Sequence, residues 1–523
     1  MRDFGAKGNG VDDDRSAIQA AIDDAVTNDK GGVFFPAGTY RVSRPAAPSE
    51  RGSLDLNGVT DFAVAGEGPS SVVKLTNDDA RSRDWHVFVL RNNCRRVAFS
   101  DLVVDGNRTG LTNPNEQSHG IEVEDGTEDL TIRGCIVRDC FGDGVRLLGR
   151  DAAGENVRRV RIESCLFQTN KRSGLGIQRA LEEIIVAGCF FDATVSDQSI
   201  DFEPTGGDAP TDMIITGCVI NHTNRGPAVT LSGIRGADPT VRVKFSNNIV
   251  LGGQIFCTDI DQITMQDNVV IVTDAFSANR IPIQVQRGGE SVLVTGNLLA
   301  SEDAATEAVI SVSEVNQRQV SRALIANNLC LARSRRGIQV LSSDDVAVEA
   351  NMVVATGSCT QGIFVRSESS SVENIAVRNN EITTKNQGAW VTGIQFTASA
   401  QGIGHACAIG DSIHGATEGV RFQGPGFRQT PVCALNRVDA DVASPLVGLL
   451  QLPEDAVVVG GAASHGGSAP GSGSGRVLVG EGSPEGKVIG NAGDVYQRVD
   501  AAPGPRLFVK ESDAQANTGW SAK

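Results

Sequence analysis

The chain contains no run of 18 or more apolar residues, so no membrane span is expected. Its N-terminus lacks a basic stretch followed by an apolar core, so no secretory signal is visible. The protein would then stay inside the cell until lysis, leave by another route, or have been trimmed. Positive charge is in short supply, with 47 Lys and Arg against 63 Asp and Glu, a net charge of −16. That disfavours nucleic acid, whose binding depends on neutralising phosphates. It would also repel a polyanionic glycan at long range, unless a basic patch or a bound cation offset it. No Cys-x-x-Cys pair occurs, and eleven cysteines, an odd number spread along the chain, do not form a disulfide framework. Tyrosine is nearly absent, at 2 residues. What is plentiful is glycine, at 60 residues, beside short runs rich in Val and Ile. Such a turn-rich, β-branched composition points to an all-β chain.

A length of 523 residues alone suggests two to four domains, but an internal repeat overrides that expectation. A small or polar residue, then Cys or Asn, then two apolar residues recur at Cys135, Cys165, Cys189 and Cys218. The pattern continues at Asn248, Asn268, Asn297, Asn328, Asn351 and Asn380. Each unit carries a further short strand of the form apolar–x–apolar, often after Gly: GIEV ending at Val123, GVRL at Leu147, SIDF at Phe202, GIQV at Val340, GIFV at Val365, GIQF at Phe396 and GVRF at Phe422. Period-2 alternation marks strands with one face buried. A unit too short to fold alone is one coil of a parallel β-helix of about 12 coils. Stacking places equivalent residues about 4.8 Å apart, so the Cys form an interior column of small apolar fillers. That column passes into an Asn column whose amides hydrogen-bond from rung to rung.

An open solenoid end exposes strand edges and needs a cap. Asp12, Asp13 and Asp14 lead into an amphipathic helix with Ile18 and Ile22 on one face. This stretch, Arg2 to Asp23 with GGVFFPAGTYRVS from Gly31 to Ser43, resembles the pectate-lyase-like superfamily of right-handed parallel β-helix proteins. That superfamily includes lyases, hydrolases, epimerases and bacteriophage tailspikes, so the resemblance implies fold more than activity. The expected organisation is a cap over 1–45, the β-helix over 46–450, a Gly/Ser-rich linker over 451–475 and a small β module over 476–523. The last segment, with GSPEG, GDVYQRVD, LFVKES and NTGW, resembles a C-terminal module of phage and prophage tail proteins. This second resemblance implies a virion-tail or extracellular location, a homotrimer and contacts with other tail proteins. Because the β-helix motif begins at Met1, attachment would use the cap or the C-terminal module.

Candidate chemistry concentrates on the first four coils. Placing the second strand of successive coils in register gives an outward column Glu122, Arg146, Gly176, Asp201, continuing as Thr230, Phe256, Gln284, Ser311 and Gln339. Two residues on runs Glu124, Leu148, Gln178, Glu203, and just before the strand lie His119, Asp143, Ser173 and Gln198. Asp201 and Glu203, at i and i+2, would share a face about 6.5–7 Å apart, near the separation of inverting glycosidases. Mutual crowding would raise one carboxyl toward a general acid. Arg146 would reach across the gap at Gly176 to hold a sugar or tune a carboxylate. Asp201, Glu203, Arg146 and Asp143 are therefore the candidate catalytic residues, and Glu122, His119 and Gln178 the candidate substrate contacts. The competing reading makes Glu122–Arg146 an ordinary charge pair and the Asp201–Glu203 pair solvated structure at a coil end stopped by Pro204.

Among relatives of the fold, mannuronan epimerases carry Asp, Pro, His and Glu in close order. The similar strand here reads DFEP without His, which puts epimerase or alginate-lyase chemistry in doubt. No cofactor is called for, with calcium on the carboxylates as the alternative. Trp85, Phe141, Phe256 and Phe364 are the candidate sugar platforms, the last two being equally suited to a contact between subunits. The favoured expectation is a tailspike-like protein that binds a bacterial-surface polysaccharide and hydrolyses it. The alternatives are a non-catalytic tail fibre on the same scaffold and a bacterial polysaccharide lyase or epimerase.

Overall fold

In a computed structural model the chain is a parallel β-solenoid of about 13 turns with one N-terminal α-helix. The structure describes residues 1–447 except 46–51, 78–83, 113–115, 150–155, 205–210, 234–241, 274–280 and shorter stretches. Beyond 447 it describes only short strands. Two compact units are present, Met1–Ser321 and Arg322–Lys523.

Each coil contributes three strands, not the two legible in the repeat. One coil of the first unit runs Ile136–Arg138, Val145–Leu148 and Val157–Glu163, and each strand pairs in parallel with its counterparts in adjoining coils. The additional strand immediately precedes the next Cys or Asn, which therefore marks the turn from third strand to first. Inward positions such as Ile121, Val145, Leu175 and Ile200 are buried and stack in register. The eleven cysteines are all unpaired and buried, in keeping with filler thiols. In the first unit, Asn248 Nδ2 donates to Asn268 Oδ1 (3.2 Å) and Asn268 Nδ2 to Asn297 Oδ1 (2.9 Å). Asn268 Nδ2 also reaches back to the carbonyl of Phe245 at 3.0 Å. These bonds satisfy amides that would otherwise be stranded in the core.

The helix, Arg15–Thr27, buries Ile18, Ala21, Ile22 and Ala25 over the solenoid end. Asp14 precedes it without a side-chain cap bond. Its buried carboxylate instead accepts the backbone N–H groups of Lys7 (2.7 Å) and Gly8 (3.0 Å), fixing the incoming chain. In the second unit, strands of the three sheets continue the same coil pattern through Ser444–Val447 and Val458–Val459. Val477–Gly480, Val495–Arg498, Leu507–Lys510 and Trp520–Ala522 form a separate four-stranded sheet, the last three strands antiparallel to one another. The expected linker lies almost wholly outside the described residues.

Candidate functional site

The second sheet sets the site. Its register pairs Glu122 with Arg146, Arg146 with Gly176 and Gly176 with Asp201, and carries on through Thr230, Phe256, Gln284 and Ser311. This is the column expected from the repeat, but its polar members are packed against one another. Glu122 is wholly buried and Asp201 nearly so, while Glu203 keeps 44% of its side chain exposed.

The residues just before the strand form a connected chain across four rungs. His86, one rung before His119, was not singled out from sequence, although Phe88 pairs with Ile121 and so brings the two histidines into register. Their rings stack at 5.1 Å with 3° between planes. The His119 N–H donates to His86 Nδ1 (3.1 Å), and the Asp143 N–H donates to His119 Nδ1 (2.8 Å). Asp143 Oδ1 accepts from Ser173 Oγ at 2.6 Å. Burial raises the Asp143 carboxyl to about 6, opposed by Arg172, Ser173 and Arg146.

Arg146 does not reach Asp201. Its Nη1 pairs with Glu122 Oε1 at 3.1 Å, and its Nε donates to Gln178 Oε1 at 3.2 Å. The space at Gly176 is taken by Asp143, since a Cβ there would lie 2.5 Å from Asp143 Oδ2. The cation beside the acid pair is Arg172, which pairs with Glu203 and lies 3.7 Å from Asp143. The sequence signal for Arg172 was its place directly before Ser173, a member of the expected column.

The strand ends at Phe202, and the Glu203 N–H still donates to the Ile177 carbonyl of the neighbouring coil at 2.9 Å. Burial first, then the charges of Glu203 and Asp143, raise the Asp201 carboxyl to about 7, with Arg172 opposing. Gln178 Nε2 donates to Glu203 Oε2 at 2.8 Å. The arrangement is a proton-holding pair, half buried and half open, flanked by a guanidinium and an amide.

His86, His119 and Glu122 place one donor atom each within 4.8 Å of one another. Both Nδ1 atoms accept backbone N–H bonds, while Arg146 Nη1 donates to Glu122 Oε1 and lies 3.5 Å from His119 Nε2. A cation held by these three residues would stand against that guanidinium, so they do not fit a metal. Of the expected sugar platforms, Trp85 is buried with its Nε1 donating to Ser53 Oγ at 2.8 Å. Phe364 is covered by Arg336, and Phe141 carries Lys171 over its ring. Phe256 remains half-exposed.

Stacked parallel coils with polar residues gathered on one outward face give this chain a parallel β-helix fold, similar to that of pectate-lyase-like proteins. Residues 1–60 match the family Rhamnogalacturonase A/epimerase, pectate lyase-like, and residues 89–297 match the right-handed β-helix region family. The chain is 35% identical over 147 residues to mannuronan C5-epimerase AlgE4 of Azotobacter vinelandii, covering 28% of this chain and 26% of that protein. It is 38% identical over 215 residues to alginate lyase 7 of the same organism, covering 35% of this chain and 24% of that protein. The chain thus spans about a quarter of these relatives' lengths. Among solved structures, the N-terminal fragment of bacteriophage Phi29 gene product 12 shares the fold. Its TM-score is 0.52 at 14% identity, over 83% of this chain and 87% of that one. Among the described residues no helix is long and apolar enough to cross a membrane.

Proposed function

We propose that the protein binds a polysaccharide along the second sheet and depolymerises it, with the Asp201–Glu203 pair as proton donor to the glycosidic oxygen. The supporting observation is the Asp201 carboxyl, held near 7 by burial and by Glu203. A carboxyl that keeps its proton at neutral pH is what leaving-group protonation requires. Arg172 and Gln178 orient the pair. Arg146 and Glu122 form the neighbouring wall, with His119 and Asp143 just before their strands and His86 one coil earlier supporting them. The substrate in this reading is a bacterial-surface glycan and the setting a virion tail or extracellular particle. A homotrimer is favoured by an outward column on the first sheet, in which Phe190, Val219, Ile249, Val269 and Leu298 stand in register. Phe190, Ile249 and Leu298 are exposed, and such a stripe favours association.

A second reading, proton abstraction at C5 of a uronate polymer, is favoured by the names of the two relatives. Leaving-group protonation is common to hydrolysis and elimination, so one assay separates them. The purified protein is incubated with capsular polysaccharides and with mannuronan, following chain size and absorbance near 235 nm. Shortening without new absorbance means hydrolysis, and shortening with it means elimination. Asp201→Asn and Glu203→Gln should each lower the rate about 10²–10⁴-fold; cleavage surviving both changes would falsify the assignment.

A further inference from the structure

The local sequence that builds the site occurs twice. In the first unit, a variable residue, Gly, an apolar residue, a second variable residue and an apolar residue run 119–123, 143–147 and 173–177. The next coil, 198–202, has Ser in place of Gly. The Gly position then becomes Ala228, Gln254, Pro282 and Val309 in the following coils of that unit. In the second unit the pattern returns over 336–340, 361–365, 392–396 and 418–422, in strict register. The glycines allow close stacking: a Cβ at Gly362 would lie 2.7 Å from the Gly393 carbonyl oxygen, and one at Gly393 2.9 Å from that of Gly419. The strand therefore runs through the corner as one ten-residue element, Ser358–Ser367 and again Ala389–Ala398. Arg336, Gln361, Glu418 and Arg421 are half-buried there, while Gln339, Phe364, Thr392 and Gln395 are buried beside them.

Those columns read Arg336, Gln361, Thr392, Glu418 and Gln339, Phe364, Gln395, Arg421. Their chemistry differs from that of the first unit. Arg336 lies 4.2 Å over the Phe364 ring, donates to Gln339 Oε1 (2.7 Å) and to Gln361 Oε1 (3.1 Å). Gln361 Nε2 donates to Gln395 Oε1 (3.1 Å), and Gln395 Nε2 to Gln423 Oε1 (3.2 Å). Glu418, the one carboxylate in the two columns, is matched by Arg421 at 3.2 Å and accepts from Thr392 Oγ1 at 2.8 Å. No two carboxyls meet here, so no proton-holding pair exists among these residues.

We propose that this face of the second unit is a non-catalytic saccharide-binding site for a neutral glycan rich in hydroxyl and acetamido groups. Side-chain amides both donate and accept, as a sugar hydroxyl does. Here they are fixed in a rung-to-rung chain before any ligand arrives, which lowers the ordering cost of binding. Arg421 is matched by Glu418, and Arg336 is engaged by Phe364, Gln339 and Gln361, so neither guanidinium is held open for an anion. The ligand class rests on the polysaccharide reading above, but binding here does not depend on cleavage.

The test uses the full-length chain carrying Asp201→Asn, titrated calorimetrically with maltohexaose and chitotetraose as neutral probes and mannuronan oligomers as the acidic comparison. At least one neutral probe should bind. Adding Gln361→Ala with Gln395→Ala should weaken it tenfold or more, while Gln395→Asn, which keeps the amide, should recover part of the loss. Unchanged thermal unfolding of the variants shows that the coil is intact. The same double change in the otherwise unaltered protein should leave cleavage of a short substrate unaffected. Absence of binding by either neutral probe would overturn the proposal. So would binding that survives Gln361→Ala with Gln395→Ala but is lost in Arg172→Ala. Loss of cleavage with binding retained would fault only the catalytic reading.

Discussion

In the second unit the interior ladder runs Asn351, Asn380, Asp411, Asn436, an aspartate standing where its neighbours are asparagine. Asn380 Nδ2 donates to Asp411 Oδ1 at 2.9 Å and to the Val348 carbonyl at 2.9 Å. Asn436 Nδ2 donates to the Ala408 carbonyl at 2.9 Å. Val348, Val377 and Ala408 are in register, so the carbonyl belonging to position 411 is that of Val377. Asp411 presents Oδ2 there, buried and without a hydrogen bond. Burial accordingly raises its carboxyl to about 6 from 3.8. A folded-state value above the unfolded one means the group's contribution is fully present below pH 3.8 and is lost as pH rises through about 6. The loss at neutral pH is about 3 kcal/mol, at about 1.4 kcal/mol per pKa unit. Asp411→Asn replaces Oδ2 with a donor aimed at the Val377 carbonyl and removes the titration. We expect the variant to match the parent near pH 4 and to exceed it by about 3 kcal/mol at pH 8. In thermal unfolding that is a gain of about 6–12 °C in Tm for a unit of this size. Calorimetric scans of parent and variant at the two pH values decide the matter. Equal Tm values at pH 8, or the same gap at both pH values, would refute the reasoning.

Cleavage should hold steady at acidic pH and fall tenfold per unit above about pH 7, as the Asp201 proton is lost; a rate that rises through pH 8 would reject the pair as donor. Gly176→Ala should cost about 1–3 kcal/mol and abolish activity, because its Cβ would displace the Asp143 carboxylate. Normal unfolding together with normal turnover in that variant would refute the packing argument. Light scattering should return three times the 54.8-kDa chain mass. Ile249→Lys with Leu298→Lys should shift that toward the single chain, whereas a parent protein of monomeric mass ends the trimer proposal.

The coil repeat was legible because Cys or Asn marks the same turn in ten successive coils, from Cys135 to Asn380, and β-branched residues alternate beside them. The strand leading into that turn was missed because segments such as Glu128–Arg133 and Leu181–Ala187 carry charged residues among their apolar ones and share no fixed residue. Register was likewise legible, and it carried Glu122, Arg146, Gly176 and Asp201 to one face as read. What register does not contain is side-chain direction. Arg146 turns toward Glu122 and Gln178, Asp143 fills the place left by Gly176, and Glu203 takes Arg172 and Gln178 as partners. Each outcome depends on which neighbour offers a partner for a buried charge, and that is set by three coils together. Arg172 and His86 became visible only when those coils were stacked.

The asparagine ladder has a direction. Asn268 donates back to a carbonyl of the coil already laid down and forward to Asn297 in the coil that follows it. A nascent chain emerging from the ribosome can fill the backward bond at once, but the forward acceptor has not yet been synthesised. The growing tip therefore always carries one amide hydrogen waiting for the next coil, and each new coil settles its predecessor. A whole coil duplicated within the ladder would present the same donor and acceptor at both seams, so this architecture can lengthen by gene duplication without redesigning its interior.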